Sequence, residues 1–449
     1  MNDLKIIDAL ADGLKDGGGK VFTNFPGYLS HKLFARLGES QTSINEKTAY
    51  EIAWGACYAG KRSAVMFKNV GLNDAADPFL NSMLVGVNAG LVLVVFDDVY
   101  VEGSQSRQDS RHYFDFFGGL WFEPYSIQNA YDISYKAFDL SEKFQLPIVI
   151  RITNPLTELE DEYKRQAGKS EKKEQIVDHS RYVIHPINSK KQTQDLATKN
   201  TRIQEYIDTL YGTPEKNSKK QFVSFGCCYK EEKEYLDACY KKNQYYSYPI
   251  PSNLHLNDDL VVLEQGGNYA YKKIMENSSE RFQTKNNTGI MVDKSAGYIV
   301  TSNYKKLFAA IKESEVPCLV GDLGEYTKDT LDSVDAVLSF GSSVGVAIGC
   351  MMSGIKQTFA ITGDASYLHS GKNAIIEAIS RELPLKLIVI CNGGSQGTGG
   401  QVIPGELYYQ PTGVNVVIAE YYKTDEQKFT QILKGMSDSD KQSILYVQM

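Results

Sequence analysis

No stretch of the sequence approaches the ~20 consecutive apolar residues that a membrane-spanning helix needs. The strongest apolar runs are the short segments 91–96 and 385–391. The first twenty residues carry Asp3, Asp8 and Asp12 among their apolar positions and lack the charged-then-apolar layout of an export signal. A soluble, cytoplasmic chain with no membrane partner is the expectation. Basic charge is also in short supply: 48 Lys and Arg against 55 Asp and Glu give a net charge of −7 with no basic stripe, which argues against nucleic acid as a partner. Cysteine is sparse and scattered. The seven residues Cys57, Cys227, Cys228, Cys239, Cys318, Cys350 and Cys391 are odd in number and nowhere spaced C-x-x-C, so neither a disulfide framework nor a resident zinc or iron–sulfur centre is expected. There is no tandem repeat.

What is present is length and alternation. At 449 residues the chain is about three times the ~150 that serve as a soft guide to one domain. From residue 5 to 152 short apolar runs at 64–67, 91–96 and 148–152 alternate with helical patterns at 78–87 and 130–143, the signature of βαβ units on a parallel sheet. Residues 158–175 are almost wholly polar and charged and read as a linker. Residues 176–284 hold a helical stretch at 190–211, an apolar run at 221–225, a helix at 231–242 and a strand at 260–264 before Gly266-Gly267. From 289 onward the alternation resumes, with strands expected at 318–320, 336–340, 358–362, 385–391 and 414–418. The expected fold is α/β: two doubly wound domains, 1–157 and 285–449, with a smaller α/β domain, 176–284, between them.

The most informative stretch is 358–401. A strand ends at Gly363-Asp364, a helix follows, and a second strand ends at Asn392 before Gly393-Gly394-Ser395-Gln396-Gly397-Thr398-Gly399-Gly400. In one βαβ unit the carboxyl ends of both strands lie side by side, at the edge where α/β sheets bind ligands. Asp364 and Asn392 should therefore converge. A carboxylate, an amide oxygen and a loop carbonyl, such as that of Gly394, form a hard-oxygen set suited to Mg²⁺. The glycines free backbone N–H groups to approach a phosphate.

That order, with 392 − 364 = 28 positions from Asp to Asn, resembles the diphosphate-binding motif of thiamine diphosphate enzymes. The detail of 363–371 and 392–401 is similar to the alpha subunit of indolepyruvate:ferredoxin oxidoreductase, in the 2-oxoacid:ferredoxin oxidoreductase superfamily. Residues 45–56, 68–78 and 104–111 resemble that family's pyrimidine-binding domain. Residues 261–267, 321–327 and 340–345 extend the likeness over most of 1–420.

The resemblance implies thiamine diphosphate and Mg²⁺ as cofactors and decarboxylation of a 2-oxoacid, an aryl pyruvate, through the C2 ylid. It implies cofactor contacts from Gly341, Ser342, Gly363, Asp364, Ala365, Ser366, Asn392, Gly394, Gln396, Gly397 and Thr398, with Asp364, Asn392 and Gly394 on the metal. Glu46 takes the place of the glutamate that bonds N1′ of the aminopyrimidine. Its plain alternative is a first-turn glutamate after an Asn45 helix cap. His369 stands as a proton donor, and Lys68 and Arg111 as partners for a substrate carboxylate, against the ordinary reading of each as a packed or solvated side chain. The resemblance further implies a homodimer, with the cofactor held between two chains.

Three departures matter. Asn69 stands where the family carries a histidine, the region 293–305 has no cysteine, and no cluster-binding run of cysteines occurs. The expectation is therefore a non-oxidative or carboligating decarboxylase. Two alternatives stay open: an oxidative route through an iron–sulfur or other electron-accepting partner subunit, and a non-catalytic cofactor-binding scaffold.

Overall fold

The computed structural model describes residues 5–98, 108–170, 173–210 and 303–449 apart from 329–333, 404 and 406–407. It also describes 216–217, 220–227, 234, 244–246, 250–252, 254, 260–264 and 269–278. The helix expected at 231–242, Gly266-Gly267, residues 104–107 and most of 293–305 lie outside the described residues. None of the described helices is long and apolar enough to cross a membrane.

Five strands form the first sheet: β1 (Val21–Asn24), β2 (Ser63–Lys68), β3 (Leu91–Asp97), β4 (Leu120–Phe122) and β5 (Ile148–Thr153). Their order is β1-β2-β3-β5-β4 and every pairing is parallel. The unbroken apolar run of β3 follows from this position, because a central parallel strand is covered on both faces and all seven of its residues are buried. Helix Lys5–Asp16 packs on helix Ile127–Phe144, and helix Glu46–Tyr58 lies against β1 and β2.

The middle segment holds β6 (Lys216–Asn217), β7 (Lys220–Phe225), β8 (Gln244–Tyr246) and β9 (Leu260–Glu264). Here β7 pairs parallel with β8 and β9 and antiparallel with β6. The second large sheet contains β10 (Cys318–Gly321), β11 (Ala336–Val337), β12 (Thr358–Gly363), β13 (Lys386–Cys391), β14 (Asn415–Glu420) and β15 (Ser443–Gln448). It runs β11-β10-β12-β13-β15-β14, again wholly parallel. The chain is thus a doubly wound α/β protein.

Past Glu158 the described residues of the charged segment form no helix or strand, as its composition predicts, yet they are a strap on the first sheet's helices. Lys169 N donates to Asp16 O (2.8 Å), Gln166 N to the Tyr131 hydroxyl (2.6 Å), and Arg165 pairs with Asp16 (2.7 Å). Polar composition here marks hydrogen bonding to a surface.

The two large sheets meet through helix Glu46–Tyr58 and helix Ser343–Met352. The glycines set the separation. A Cβ on Gly55 would fall on the Val346 carbonyl, and one on Gly349 on the Ile52 carbonyl. Gly349→Ala is therefore expected to destabilise the fold by ~1–3 kcal/mol through overpacking, read as a lower urea midpoint. Gly435, inside helix Glu426–Ser437 with open space around it, is the control: Ala there should hold or raise the midpoint. Equal midpoints for wild type and Gly349→Ala would contradict the close approach.

Candidate active site

The register of β12 and β13 builds the site. Gly363 pairs with Ile390, so the two strands end within one residue of each other, and Asp364, just past β12, and Asn392, just past β13, open neighbouring loops. Asp364 is buried, and its carboxylate accepts from the N–H groups of Ala365 (2.7 Å), Gly393 (2.8 Å) and Gly394 (3.0 Å). Burial pushes this carboxyl up, and those amide donors oppose the shift. Gly394 has φ +145°, and a Cβ there would fall on the Gln401 carbonyl, so the turn requires glycine.

Asn392 Nδ2 donates to the Tyr304 hydroxyl (3.0 Å). This turns its Oδ1 toward Asp364 Oδ1 (3.2 Å) and the Gly394 carbonyl oxygen (3.0 Å). Three acceptor oxygens then face one another with no proton between them. Rotating the amide by half a turn would convert the contacts into hydrogen bonds. A hard divalent cation would satisfy them as they stand, since carboxylate, amide oxygen and backbone carbonyl are the ligand types that Mg²⁺ and Ca²⁺ take. The donor set fits the expected metal.

A cavity of about 350 Å³ opens beside these oxygens. Gly363, Asp364, Ala365, Ser366, Asn392, Gly394, Gln396, Gly397 and Thr398 all line it. The helical run that begins at Asp364 passes through a π turn at Tyr367–Gly371 into helix Lys372–Ser380, so its first N–H groups lie at the cavity. Free helical N–H groups favour an anion.

The remaining predicted residues stand elsewhere. Ser342 closes a turn, accepting from Ser339 N (3.0 Å) and donating to Ser339 O (2.8 Å). Gly341 packs on Ser370, behind the wall. His369 is exposed, bonded to Ser370 Oγ (3.1 Å), with its ring edge on Phe340, which lines the cavity. Lys68 pairs with Asp98 (2.7 Å). Arg111 corrects its expectation as a substrate partner: it is buried and held by Asp109 (2.6 Å) and Glu264 (3.4 Å), so its charge is already balanced inside the protein.

Glu46 opens helix Glu46–Tyr58, with Asn45 Oδ1 accepting from Thr48 N (2.7 Å) as the cap. The cap reading and the special glutamate coexist. The side chain is half-buried against Gly71, and burial, with Asp74 adding to it, raises its pKa. Next to it, Lys47 Nζ bonds Glu51 (3.0 Å), Asp77 (3.0 Å) and Ser339 Oγ (3.2 Å), the neighbour of Phe340 in the cavity wall.

Three residues escaped the sequence reading as site components. Asp322, at the end of β10 and buried, accepts from Ser343 N (2.7 Å), Ser343 Oγ (3.0 Å) and Thr362 Oγ1 (2.6 Å), and burial lifts it to about 6. Its position at the carboxyl edge of an expected strand was a usable signal. Glu51, one turn after Lys47, is lifted by burial to about 8. His185 lines the cavity with Ile184 and Pro186 and accepts from Ile187 N at Nδ1 (3.2 Å). Nothing local marks it, because a crossing segment brings it there.

Comparison with known proteins agrees with this geometry. Residues 309–439 match the thiamine pyrophosphate enzyme C-terminal TPP binding domain. The indolepyruvate oxidoreductase subunit IorA of Archaeoglobus fulgidus is 27% identical over 473 residues, covering 89% of this chain and 76% of that protein. IorA of Thermococcus kodakarensis is 27% identical, covering 88% and 75%, and IorA of Pyrococcus abyssi 26%, covering 95% and 80%. Among solved structures, a thiamine diphosphate-dependent 4-hydroxybenzoylformate decarboxylase from Rhodococcus jostii shares the fold, with a TM-score of 0.55 over 99% of both chains at 12% identity. Fold, cavity and matched domain define a thiamine diphosphate-dependent enzyme. Within that class the chain is similar to the IorA subunits over nearly nine-tenths of its length.

The buried Glu51 sets a pH test. Its folded pKa of about 8 lies above the ordinary 4.5, so the folded state holds this proton more tightly. Its contribution to stability is whole below pH 4.5 and is lost as pH rises toward 8. Glu51→Gln keeps the shape of the protonated form. Its urea midpoint relative to wild type should rise steadily between pH 5 and 8, and a pH-independent difference would show that Glu51 is ionised throughout.

Proposed function

We propose that the chain binds thiamine diphosphate with Mg²⁺ and decarboxylates an aryl 2-oxoacid. The observation that carries the reading is the convergence of Asp364, Asn392 and Gly394 at one strand edge beside a cavity lined by a glycine-rich loop and a helix start. Asp364 Oδ1, Asn392 Oδ1 and the Gly394 carbonyl would hold the cation. The N–H groups of Ser366 and around Gly397, with the hydroxyls of Ser366 and Thr398, would receive the diphosphate. His185 borders the same space.

When bound, thiamine diphosphate supplies the electron sink that lets a 2-oxoacid lose CO₂. The chain's own task is to place and dry it. Burial raises the Glu46 carboxyl, which suits it to sharing a proton with a ring nitrogen. Lys47 pairs with the buried Glu51 and the exposed Asp77 and holds this helix start in place.

The IorA names, over nearly nine-tenths of this chain, support the oxidative branch, in which the electron pair left by CO₂ passes to an acceptor on a partner subunit. They also support indolepyruvate-like substrates. CO₂ release from aryl pyruvates that depends on an added electron acceptor is the expected result. Turnover without acceptor would place the chain on the non-oxidative branch.

Two substitutions test the site. Asp364→Ala should weaken thiamine diphosphate binding in calorimetry beyond the ~10–100-fold cost of losing an outer partner of a metal site, and should abolish its dependence on Mg²⁺. Glu46→Gln should leave affinity within a few-fold but slow C2 proton exchange of the bound cofactor by about 10²–10⁴-fold. Unaltered binding in Asp364→Ala would overturn the reading.

A further inference from the structure

We infer that the Tyr304 hydroxyl is a pivot on which the Asn392 amide takes two orientations, one closing the Asp364 and Gly394 oxygens with its protons and the other opening them to a divalent cation. The inference rests on the reading of Asp364, Asn392 and Gly394 as cation ligands and adds the residue that sets their orientation.

Tyr304 is buried in the cluster that holds Leu307, Phe308, Leu319 and Tyr326. Its carbonyl accepts from Phe308 N (3.1 Å) as helix Lys305–Glu313 begins. The hydroxyl is therefore a fixed point. The backbone at Asn392 is held as well: Gln396 Nε2 donates to its carbonyl (2.8 Å), and Met449 N to the carbonyl of Cys391 before it (3.0 Å). What remains free is the last side-chain torsion, which for asparagine is broad and roughly two-fold. A half-turn about it exchanges Oδ1 and Nδ2 and leaves the backbone where it is.

Both orientations complete their hydrogen bonds. With the amide oxygen toward Tyr304, the hydroxyl donates to it (3.0 Å), and Nδ2 donates to Asp364 Oδ1 (3.2 Å) and to the Gly394 carbonyl (3.0 Å). With the amide nitrogen toward Tyr304, Nδ2 donates to the hydroxyl oxygen (3.0 Å), and the hydroxyl proton faces Glu325 Oε2 (3.5 Å). A hydroxyl serves both because it donates and accepts, whereas a carbonyl or an N–H in its place would hold one orientation only. In the second orientation Asn392 Oδ1 stands 3.2 Å from Asp364 Oδ1 and 3.0 Å from the Gly394 oxygen. Two oxygens at right angles around Mg²⁺, each at ~2.1 Å, lie ~3.0 Å apart. The hydrogen bonds of the first orientation and the edge of a Mg²⁺ octahedron thus have about the same length, and the half-turn alone converts one into the other.

A double-mutant cycle isolates this orienting role from packing. Mg²⁺ is titrated calorimetrically, in the presence of thiamine diphosphate, into wild type, Tyr304→Phe, Asn392→Asp and the double variant. Tyr304→Phe keeps the ring but leaves the second orientation's amide nitrogen without its acceptor. It should weaken Mg²⁺ binding by ~10–100-fold, the cost of losing an outer partner of a metal ligand. In the Asn392→Asp background the same change should cost no more than ~3-fold, because a carboxylate presents an oxygen at either end. Equal losses in the two backgrounds would show that Tyr304 acts by packing alone and would overturn the inference. Weakened binding in Asp364→Ala with none in Tyr304→Phe would also overturn it, and would leave the site reading standing. Unaltered binding in Asp364→Ala would refute the site reading and the pivot with it. A spectroscopic readout needs no thiamine diphosphate: the side-chain amide proton signals of Asn392, identified by their loss in Asn392→Asp, should shift on saturation with Mg²⁺ alone. Signals that stay in place would overturn the half-turn.

Discussion

The pairing of β12 with β13 is the constraint from which the rest follows. Parallel neighbours joined by a crossover must end at the same edge, and the register of Gly363 with Ile390 ends the two strands within one residue of each other, so that Asp364 and Asn392 open adjacent loops. A one-residue slip would turn Asp364 away from Asn392 and remove the Gly393 and Gly394 amides from its carboxylate. Those amides explain how a buried carboxylate exists there at all. They favour its charged form while burial disfavours it, and they fix the carboxylate at the edge of the cavity.

A second constraint joins this edge to the first sheet. Helices that touch at glycine bring their backbones closer than Leu or Ile would allow, and closeness excludes water from the charges nearby. Glu51, Lys47 and Asp322 lie in that dry layer. Their buried polarity contributes little to stability by itself, since desolvation offsets most of the attraction. What it does is bind the Glu46 helix in one orientation, because Lys47 can meet Glu51, Asp77 and Ser339 together only in this packing.

Much of this was legible before any coordinates. The strands β2, β3, β5, β12 and β13 were marked by apolar runs, and Asp364 and Asn392 by their place at strand ends. Nine of the eleven cofactor residues expected from the motif line the cavity, because they sit on the loops the two strands project. Gly341 and Ser342 do not, since the turn at Ser339 uses the Ser342 hydroxyl for its own closure. Short or late strands, β1, β4 and β15, escaped because three to six residues of apolar sequence carry no periodicity that separates them from a buried turn. Helix Ser343–Met352 was hidden by its glycines, which propensity counts against a helix although packing requires them. His185 was illegible in principle, for only the path of the chain across β11 places it.

Where the substrate's negative charge goes is the point at which local residue type misleads most. Arg111 looks suited to a carboxylate, yet it lies among Asp97, Asp109, Glu123 and Glu264, with Arg151 the one other guanidinium bonded into the group among the described residues. Four acids to two bases leave no positive excess, and burial raises Asp97 and Glu123 in consequence. An incoming anion would meet repulsion there. The cavity at Asp364 is the opposite case. Its one buried carboxylate is matched by three backbone N–H groups, and in the proposed complex a divalent cation would add positive charge beside them, so an anion that is repelled at Arg111 would be attracted here.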